Sequence, residues 1–224
     1  SLPFDLTRAQ TKAVLDVIDD LGSGTAMHRL IQGDVGAGKT VVSIAAMLML
    51  VGRGQQAAMM APTQVLSEQH YQEIKEVGEE PDLTVELLTG ALPKAEQDRI
   101  RNDIDRGAVD IAVGTHALIS GGTSWNNLGI AVIDEQHRFG VEQREVLNEA
   151  NAHMLLMTAT PIPRSLTMTF YGDLDVSIID EMPAGRLPVK TYWHIEEERP
   201  ATNEFIQYAL DHNQQVYIVC AMVD

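Results

Sequence analysis

A doubly wound α/β fold is predicted by three features of the sequence. Short apolar runs alternate with helical patterns from Met27 onward, and polar motifs recur where the runs end. Between the first run and a helical pattern, residues 33–40 read GDVGAGKT, a complete G-x-x-x-x-G-K-[ST] phosphate loop. Near-continuous apolar strands joined by helices imply a mainly parallel sheet covered on both faces. In such sheets ligands gather at the carboxyl ends of the strands.

The first strand is MHRLIQ (27–32), which feeds the phosphate loop. The helix behind the loop, KTVVSIAAMLMLV (39–51), is apolar all round yet too short to span a bilayer, so it is a buried helix. QAAMMA (56–61) is the second strand, followed by a helix over 64–77; TVELLT (84–89) is the third, followed by a helix over 93–106. VDIAVG (109–114), GIAVID (129–134) and MLLMTA (154–159) complete the set. At the ends of these strands stand APT, TG, GTH, DEQH and TAT, a convergence on one sheet edge that an ordinary core does not require.

After Tyr171 the texture changes to a short apolar stretch over 176–179 and then EMPAGRLP, which has the Pro and Gly content of a linker. A boundary near Ala184 divides the chain into a first domain, 1–184, and a segment, 185–224. In the latter VKTYWHI (189–195) and QQVYIVC (214–220) read as strands around a helix over 202–212, the start of a second α/β unit. No internal repeat or low-complexity tract is evident.

With 224 residues, 45% hydrophobic and 21% charged, the chain has the composition of a soluble globular protein with one full core and part of another. A lone Cys220 leaves no internal disulfide and fits a reducing compartment, and SLPFDLT lacks the basic and apolar regions of a secretory signal. A cytoplasmic protein without membrane partners is expected. No Cys pair or H-E-x-x-H spacing suggests a structural zinc. The net charge of −16 opposes a nucleic-acid partner, whose phosphates are neutralised by Lys and Arg. The acidic residues are scattered, with runs over 76–82 and 196–198 that read as solvated faces, so a binding groove elsewhere remains compatible with the charge.

The chemistry centres on two motifs. In the loop, the backbone N–H groups of Gly33, Asp34, Val35, Gly36, Ala37 and Gly38 can turn inward around a polyphosphate; Lys39 supplies a charge for the β and γ phosphates and Thr40 a hydroxyl for Mg²⁺. Asp134 closes an apolar strand where an acidic ligand for Mg²⁺ belongs, and Glu135 beside it is suited to activate water. Taken alone, His137 and the Thr158–Thr160 triplet read as caps or satisfied core polar groups, and the other histidines lack metal-like spacing.

Read in order, F4-D-L-T-x-x-Q10, GDVGAGKT, A61-P-T63, T89-G90, G114-T-H116, D134-E-Q-H137 and T158-A-T160 resemble the successive motifs of the first, RecA-like motor domain of superfamily 2 helicases. More narrowly, IDEQHRFGVEQR and MTATPIPRSLTMTFYGDLDVSIIDEMPAGRLPV are similar to the RecG-type branch-migration DNA helicases. That resemblance implies ATP and Mg²⁺ as cofactors and translocation on double-stranded DNA. It further implies remodelling of stalled forks and Holliday junctions in recombination and repair, by a nucleoid-associated monomer. Phe4 and Gln10 would contact adenine, Lys39 and Glu135 would be catalytic, and Thr40 and Asp134 would hold Mg²⁺. Gln136 and His137 would complete the DEQH box, with His137, Thr158 and Thr160 linking nucleotide state to domain motion. Pro62, Thr63, Thr89, Gly90, Thr115 and His116 correspond to positions that touch the DNA backbone, through contacts that need few basic residues.

By the same resemblance, these 224 residues are expected to include no wedge domain and only the start of a second RecA-like domain. Its arginine finger would lie beyond Asp224, so the 224 residues are expected to bind ATP but hydrolyse it poorly. Two alternatives stay open. A transcription-repair coupling translocase shares HRFGV and TATPIPR but usually carries Glu where this chain has Gln136; a non-catalytic nucleotide-binding module would use the same fold without turnover.

Overall fold

The structure, a computed structural model, describes residues 5–77, 83–115, 118, 122–134, 152–160, 174–183 and 189–220. The chain divides into two compact units, Ser1–Ala184 and Gly185–Asp224.

The first unit opens with helix α1 (Arg8–Gly22), which was not among the expected elements. Its start is fixed by a capping box: Thr7 accepts from the Gln10 N–H while the Gln10 side chain accepts from the Thr7 N–H. Strand β1 (His28–Gly33) and helix α2 (Lys39–Val51) follow, then β2 (Gln56–Met60) and α3 (Gln64–Val77). Next come β3 (Val85–Leu88), α4 (Lys94–Asp105), β4 (Ile111–Gly114), β5 (Leu128–Asp134), β6 (His153–Thr158) and β7 (Asp175–Ile179).

The strands form one seven-stranded sheet in the order β3-β4-β2-β5-β6-β1-β7, and every pairing is parallel. Buried on both sides, the central strands need no polar alternation, which is why QAAMM and LGIAVID read as continuous apolar runs. Alternation appears instead in which face each residue fills. Ile31, Met59, Val132 and Leu155 join the core under α1, α2 and α3, whereas Leu30, Met60, Ile133 and Leu156 join the core containing Ile100 and Ile104 of α4. Each large apolar side chain so buried contributes about 1.5–3 kcal/mol relative to exposure.

Because all strands run one way, the ends of β1, β2, β3, β4, β5 and β6 share one edge. β6 lies between β5 and β1, so Thr158 stands along that edge between Asp134 and the phosphate loop.

Gly114 sets how closely β4 approaches its neighbour. Paired with Leu88 in register, it has no room for a Cβ, which would run into the Leu88 carbonyl oxygen and lie 3.0 Å from Leu118 Cγ. Since a backbone carbonyl in a ladder cannot rotate away, Gly114→Ala is expected to cost about 3 kcal/mol or more. Denaturant unfolding measures it, and a loss below about 1 kcal/mol would show that the β3–β4 pair can spread.

β7 was visible beforehand only as a short apolar stretch. It is held against β1 by Arg29, whose Nη1 donates to Ser177 Oγ at 2.8 Å while Nε and Nη2 donate to the Asp20 carboxylate at 2.6 and 3.0 Å. Ser177 in turn donates to Asp16 Oδ2 at 2.6 Å, so polar bonds from α1 and β1 anchor a strand that apolar burial alone would hold weakly. His153 also has a structural task, as its Nδ1 accepts the Met27 N–H at 2.9 Å.

In the second unit a 3₁₀ turn, Glu196–Glu198, leads into helix α5 (Arg199–Asp211), which starts three residues earlier than the sequence pattern placed it. Pro200 lies in its first turn, where a missing N–H costs nothing. The strands expected over 189–195 and 214–220 are not formed: the described residues there join no ladder. Alternating apolar residues supply a strand's side chains, but only a paired backbone makes the strand.

Candidate nucleotide-binding site

The phosphate loop connects the end of β1 to the start of α2, and its shape rests on glycine. Gly36 and Gly38 have φ of 79° and 86°, a region costly for any residue with a Cβ. Gly38 is also the N-cap of α2 and makes no side-chain cap hydrogen bond, and the N-terminus of a helix is a ready site for an anion. A Cβ on Gly38 would collide with the Gln10 amide, and one on Gly33 would stand 2.9 Å from the Ile179 carbonyl oxygen.

Gln10 braces the loop from behind. Only 3% exposed, it donates from Nε2 to the Ala37 carbonyl at 2.8 Å and accepts the Thr7 N–H at 2.9 Å. Each end of its amide thus makes one bond within the protein, which leaves one N–H and one oxygen lone pair over. Glu181, just after β7, accepts the Ala9 N–H at 3.1 Å and ties the same corner together. A cavity of about 470 Å³ lies beside the loop, lined by Gln32, Gly33, Asp34 and Ala37, by Ala159, and by the end of β7 from Ile178 to Met182. Its size is within the range of small-ligand clefts.

Lys39 folds over the loop, its Nζ donating to the carbonyls of Gly33 at 2.8 Å and Asp34 at 3.0 Å. The ammonium is thereby held at the loop's mouth. Asp34 Oδ1 accepts the Val35 N–H at 2.8 Å, and Thr40 follows Lys39 in the first turn of α2.

Asp134 ends β5 with its side chain 14% exposed. Its Oδ2 accepts from Nε2 of His70 at 2.9 Å, and His70 Nδ1 lies 3.5 Å from Glu73 Oε2, an ion-pair distance without good hydrogen-bond geometry. Burial by itself would push His70 toward the neutral form, but the hydrogen bond to Asp134 and the charge of Glu73 outweigh it and raise its pKa to about 9. The two carboxylates beside it thus favour the protonated ring. The donor set fits Mg²⁺: a carboxylate and a hydroxyl are hard oxygen ligands, and Mg²⁺ usually takes one or two protein oxygens with substrate phosphates and water completing its shell. Among the described residues no group of three or more His, Cys, Asp or Glu could form a self-sufficient metal cage.

Thr158 and Thr160 bond to each other, with the Thr160 N–H donating to Thr158 Oγ1 at 3.1 Å and the two hydroxyls 3.0 Å apart. Of the positions compared with DNA-contacting motifs, Thr63 starts α3, its Oγ1 accepting the Leu66 N–H at 3.3 Å. Pro62 and Thr115 are partly buried and Gly90 is exposed, but Thr89 is only 2% exposed, so the accessible part of that turn is Gly90. Phe4, His116, Glu135, Gln136 and His137 lie outside the described residues.

The sequence reading overlooked His70, Glu181 and the bracing role of Gln10. A signal for His70 existed: Ser67, His70 and Ile74 are the buried residues of α3, spaced as one helical face, and an ionisable group on such a face needs a partner.

Residues 7–169 match the family model for the DEAD/DEAH box helicase. The chain belongs to the DEAD/DEAH box helicase family. Within it, this chain is 46% identical over 226 residues to the ATP-dependent DNA helicase RecG of Streptococcus pneumoniae, matching all of this chain and 33% of that protein. It is 48% identical over 225 residues to the protein of the same name from Synechocystis, again over its whole length and over 27% of the relative. This DEAD/DEAH box chain therefore spans about a third or less of the length of these relatives. Its fold matches a solved structure of RecG bound to a three-way DNA junction with a TM-score of 0.82 and 41% identity, over 94% of this chain and 28% of that one. No described helix is long and apolar enough to cross a membrane.

Proposed function

We propose that this chain is part of an ATP-dependent motor that translocates on double-stranded DNA and remodels stalled forks and Holliday junctions by branch migration. The observation that carries this reading is the match along the whole chain to relatives named RecG, together with the likeness to a RecG structure holding a three-way junction. The site supports it: a glycine-shaped loop with Lys39 at its mouth shares the sheet edge with Asp134.

In this reading the loop N–H groups and Lys39 hold the phosphates of ATP, Phe4 and Gln10 border the adenine, and Thr40 and Asp134 hold Mg²⁺. When bound, the cation supplies charge neutralisation at the transferring phosphoryl group. Glu135 accepts a proton from the attacking water, and Gln136, His137, Thr158 and Thr160 pass the nucleotide state to the rest of the motor. Pro62, Thr63, Gly90, Thr115 and His116, with the turn at Thr89, track the DNA backbone. The protein acts in the cytoplasm on nucleoid DNA, as a monomer. As a polypeptide of their own, the 224 residues bind ATP but turn it over slowly, because charge stabilisation by an arginine, about 10³–10⁵ in related NTPases, is a contribution the resemblance assigns to a second motor domain.

Phosphate release by the protein at its natural length, measured without DNA and with linear, forked and four-way duplexes, tests the proposal. Forked and four-way DNA are expected to stimulate most. Equal stimulation by linear duplex would remove the fork-remodelling role, and no stimulation by any DNA would remove the motor.

A further inference from the structure

The contact between His70 and Asp134 joins two elements to which the family motifs assign different tasks. Asp134 closes β5 at the phosphate-loop edge, whereas His70 sits on α3, the helix that Thr63 precedes and caps. The connection is stiff. Thr63 caps the first turn of α3 through the Leu66 N–H, its carbonyl accepts both the N–H and the hydroxyl of Ser67, and Ser67 and Ile74 on the same face are fully buried. His70 is 5% exposed, with Nε2 2.9 Å from Asp134 Oδ2 and Nδ1 toward Glu73. Such a placement leaves little freedom to the ring or to the carboxylate it holds.

We propose that His70 is a positioning residue for the cation site: its Nε2–H fixes the Asp134 carboxylate so that the other oxygen is presented to Mg²⁺, and α3 thereby connects the Pro62–Thr63 turn to that cation. A carboxylate ligand held by a second polar group keeps its orientation before the metal arrives, and loss of such a partner typically lowers metal affinity 10–100-fold. The inference rests on the reading of Asp134 as a Mg²⁺ ligand. It deepens that reading by adding a residue that touches neither cation nor nucleotide, and it makes a displacement of the Thr63 end of α3 a displacement of Asp134.

The test exploits the two nitrogens of the ring. In His70→Gln the side-chain amide nitrogen falls near the position of Nε2 and can donate to Asp134; in His70→Asn it falls near Nδ1 and cannot reach. Mn²⁺ affinity in the presence of ADP, read by electron paramagnetic resonance on the 224-residue chain, is expected to fall at least about 10-fold in His70→Asn and to be largely restored in His70→Gln. Metal-free ADP affinity should be the same in all three proteins. Folding is checked by near-ultraviolet circular dichroism, and should the Asn variant fail to fold, the Gln variant compared with His70→Leu makes the same contrast.

Wild-type Mn²⁺ affinity in a folded His70→Asn protein would overturn the proposal. Equal loss in the Asn and Gln variants would overturn it as well, because burial rather than the Nε2 bond would then be what matters. A wild-type chain that binds ADP but shows no ADP-dependent Mn²⁺ site would instead overturn the assignment of Asp134 as a ligand, a result distinct from either.

Discussion

Replacing Glu135 with glutamine is expected to lower DNA-stimulated ATP hydrolysis by about 10²–10⁴ while leaving nucleotide affinity within a few fold, the span a positioned general base contributes. Glu135 follows Asp134 in the sequence, and Asp134 is the last residue of β5, at the edge that carries the phosphate loop. In the proposed mechanism their tasks differ: Asp134, which accepts a hydrogen bond from His70, would hold the cation, and Glu135 would take a proton from water. Glutamine keeps the size and hydrogen-bonding reach of the side chain but cannot accept that proton. Single-turnover phosphate release alongside binding of a fluorescent ADP analogue separates chemistry from affinity. Unchanged turnover would exclude Glu135 as the base.

Lys39→Ala should act earlier, on binding itself. The ammonium is held across the loop by the carbonyls of Gly33 and Asp34, the place where a polyphosphate cradled by the loop N–H groups would carry its charge. A phosphate group would replace two neutral acceptors with anionic ones, and a hydrogen bond to a charged group contributes about 1.5–3 kcal/mol. Affinity for ADP and ATP is therefore expected to fall by about one to two orders of magnitude, and turnover by more, as charge builds on the phosphoryl oxygens. The lysine bond to Asp34 is solvent-exposed and that to Gly33 only partly buried, so losing them should change stability little. An equilibrium titration with the fluorescent analogue checks the first expectation and thermal unfolding the second. An alanine variant with wild-type affinity would mean that the backbone N–H groups bind the phosphates alone.

Much of the first unit was legible because its signals are local and strong. The helices read over 39–51 and 64–77 are α2 and α3 with the same limits, and that read over 93–106 differs from α4 by one residue at each end. The central strands, buried on both faces, read as nearly continuous apolar runs, and all six expected runs became β1 to β6. The second unit shows the opposite case, since alternating residues over 189–195 and 214–220 supplied the side chains of strands without a paired backbone. β7 was missed because its anchor is Arg29, distant in sequence and bonded to Ser177 through its side chain.

The sequence by itself determined the parallel α/β class, the Gly-rich loop through Gly36, Gly38, Lys39 and Thr40 between β1 and α2, and the apolar run that ends in Asp134. These depend on residue types at short spacings, which local sterics and periodicity dictate wherever the chain is placed. Only the tertiary structure decided what stands behind those motifs: Gln10 against Ala37, Ile179 against Gly33, Arg29 between Asp20 and Ser177, and His70 on Asp134. Each joins residues brought together by sheet order and helix placement rather than by sequence proximity. The physical reason is that a buried polar group must find a partner wherever the fold provides one, and sequence spacing carries no record of where that is.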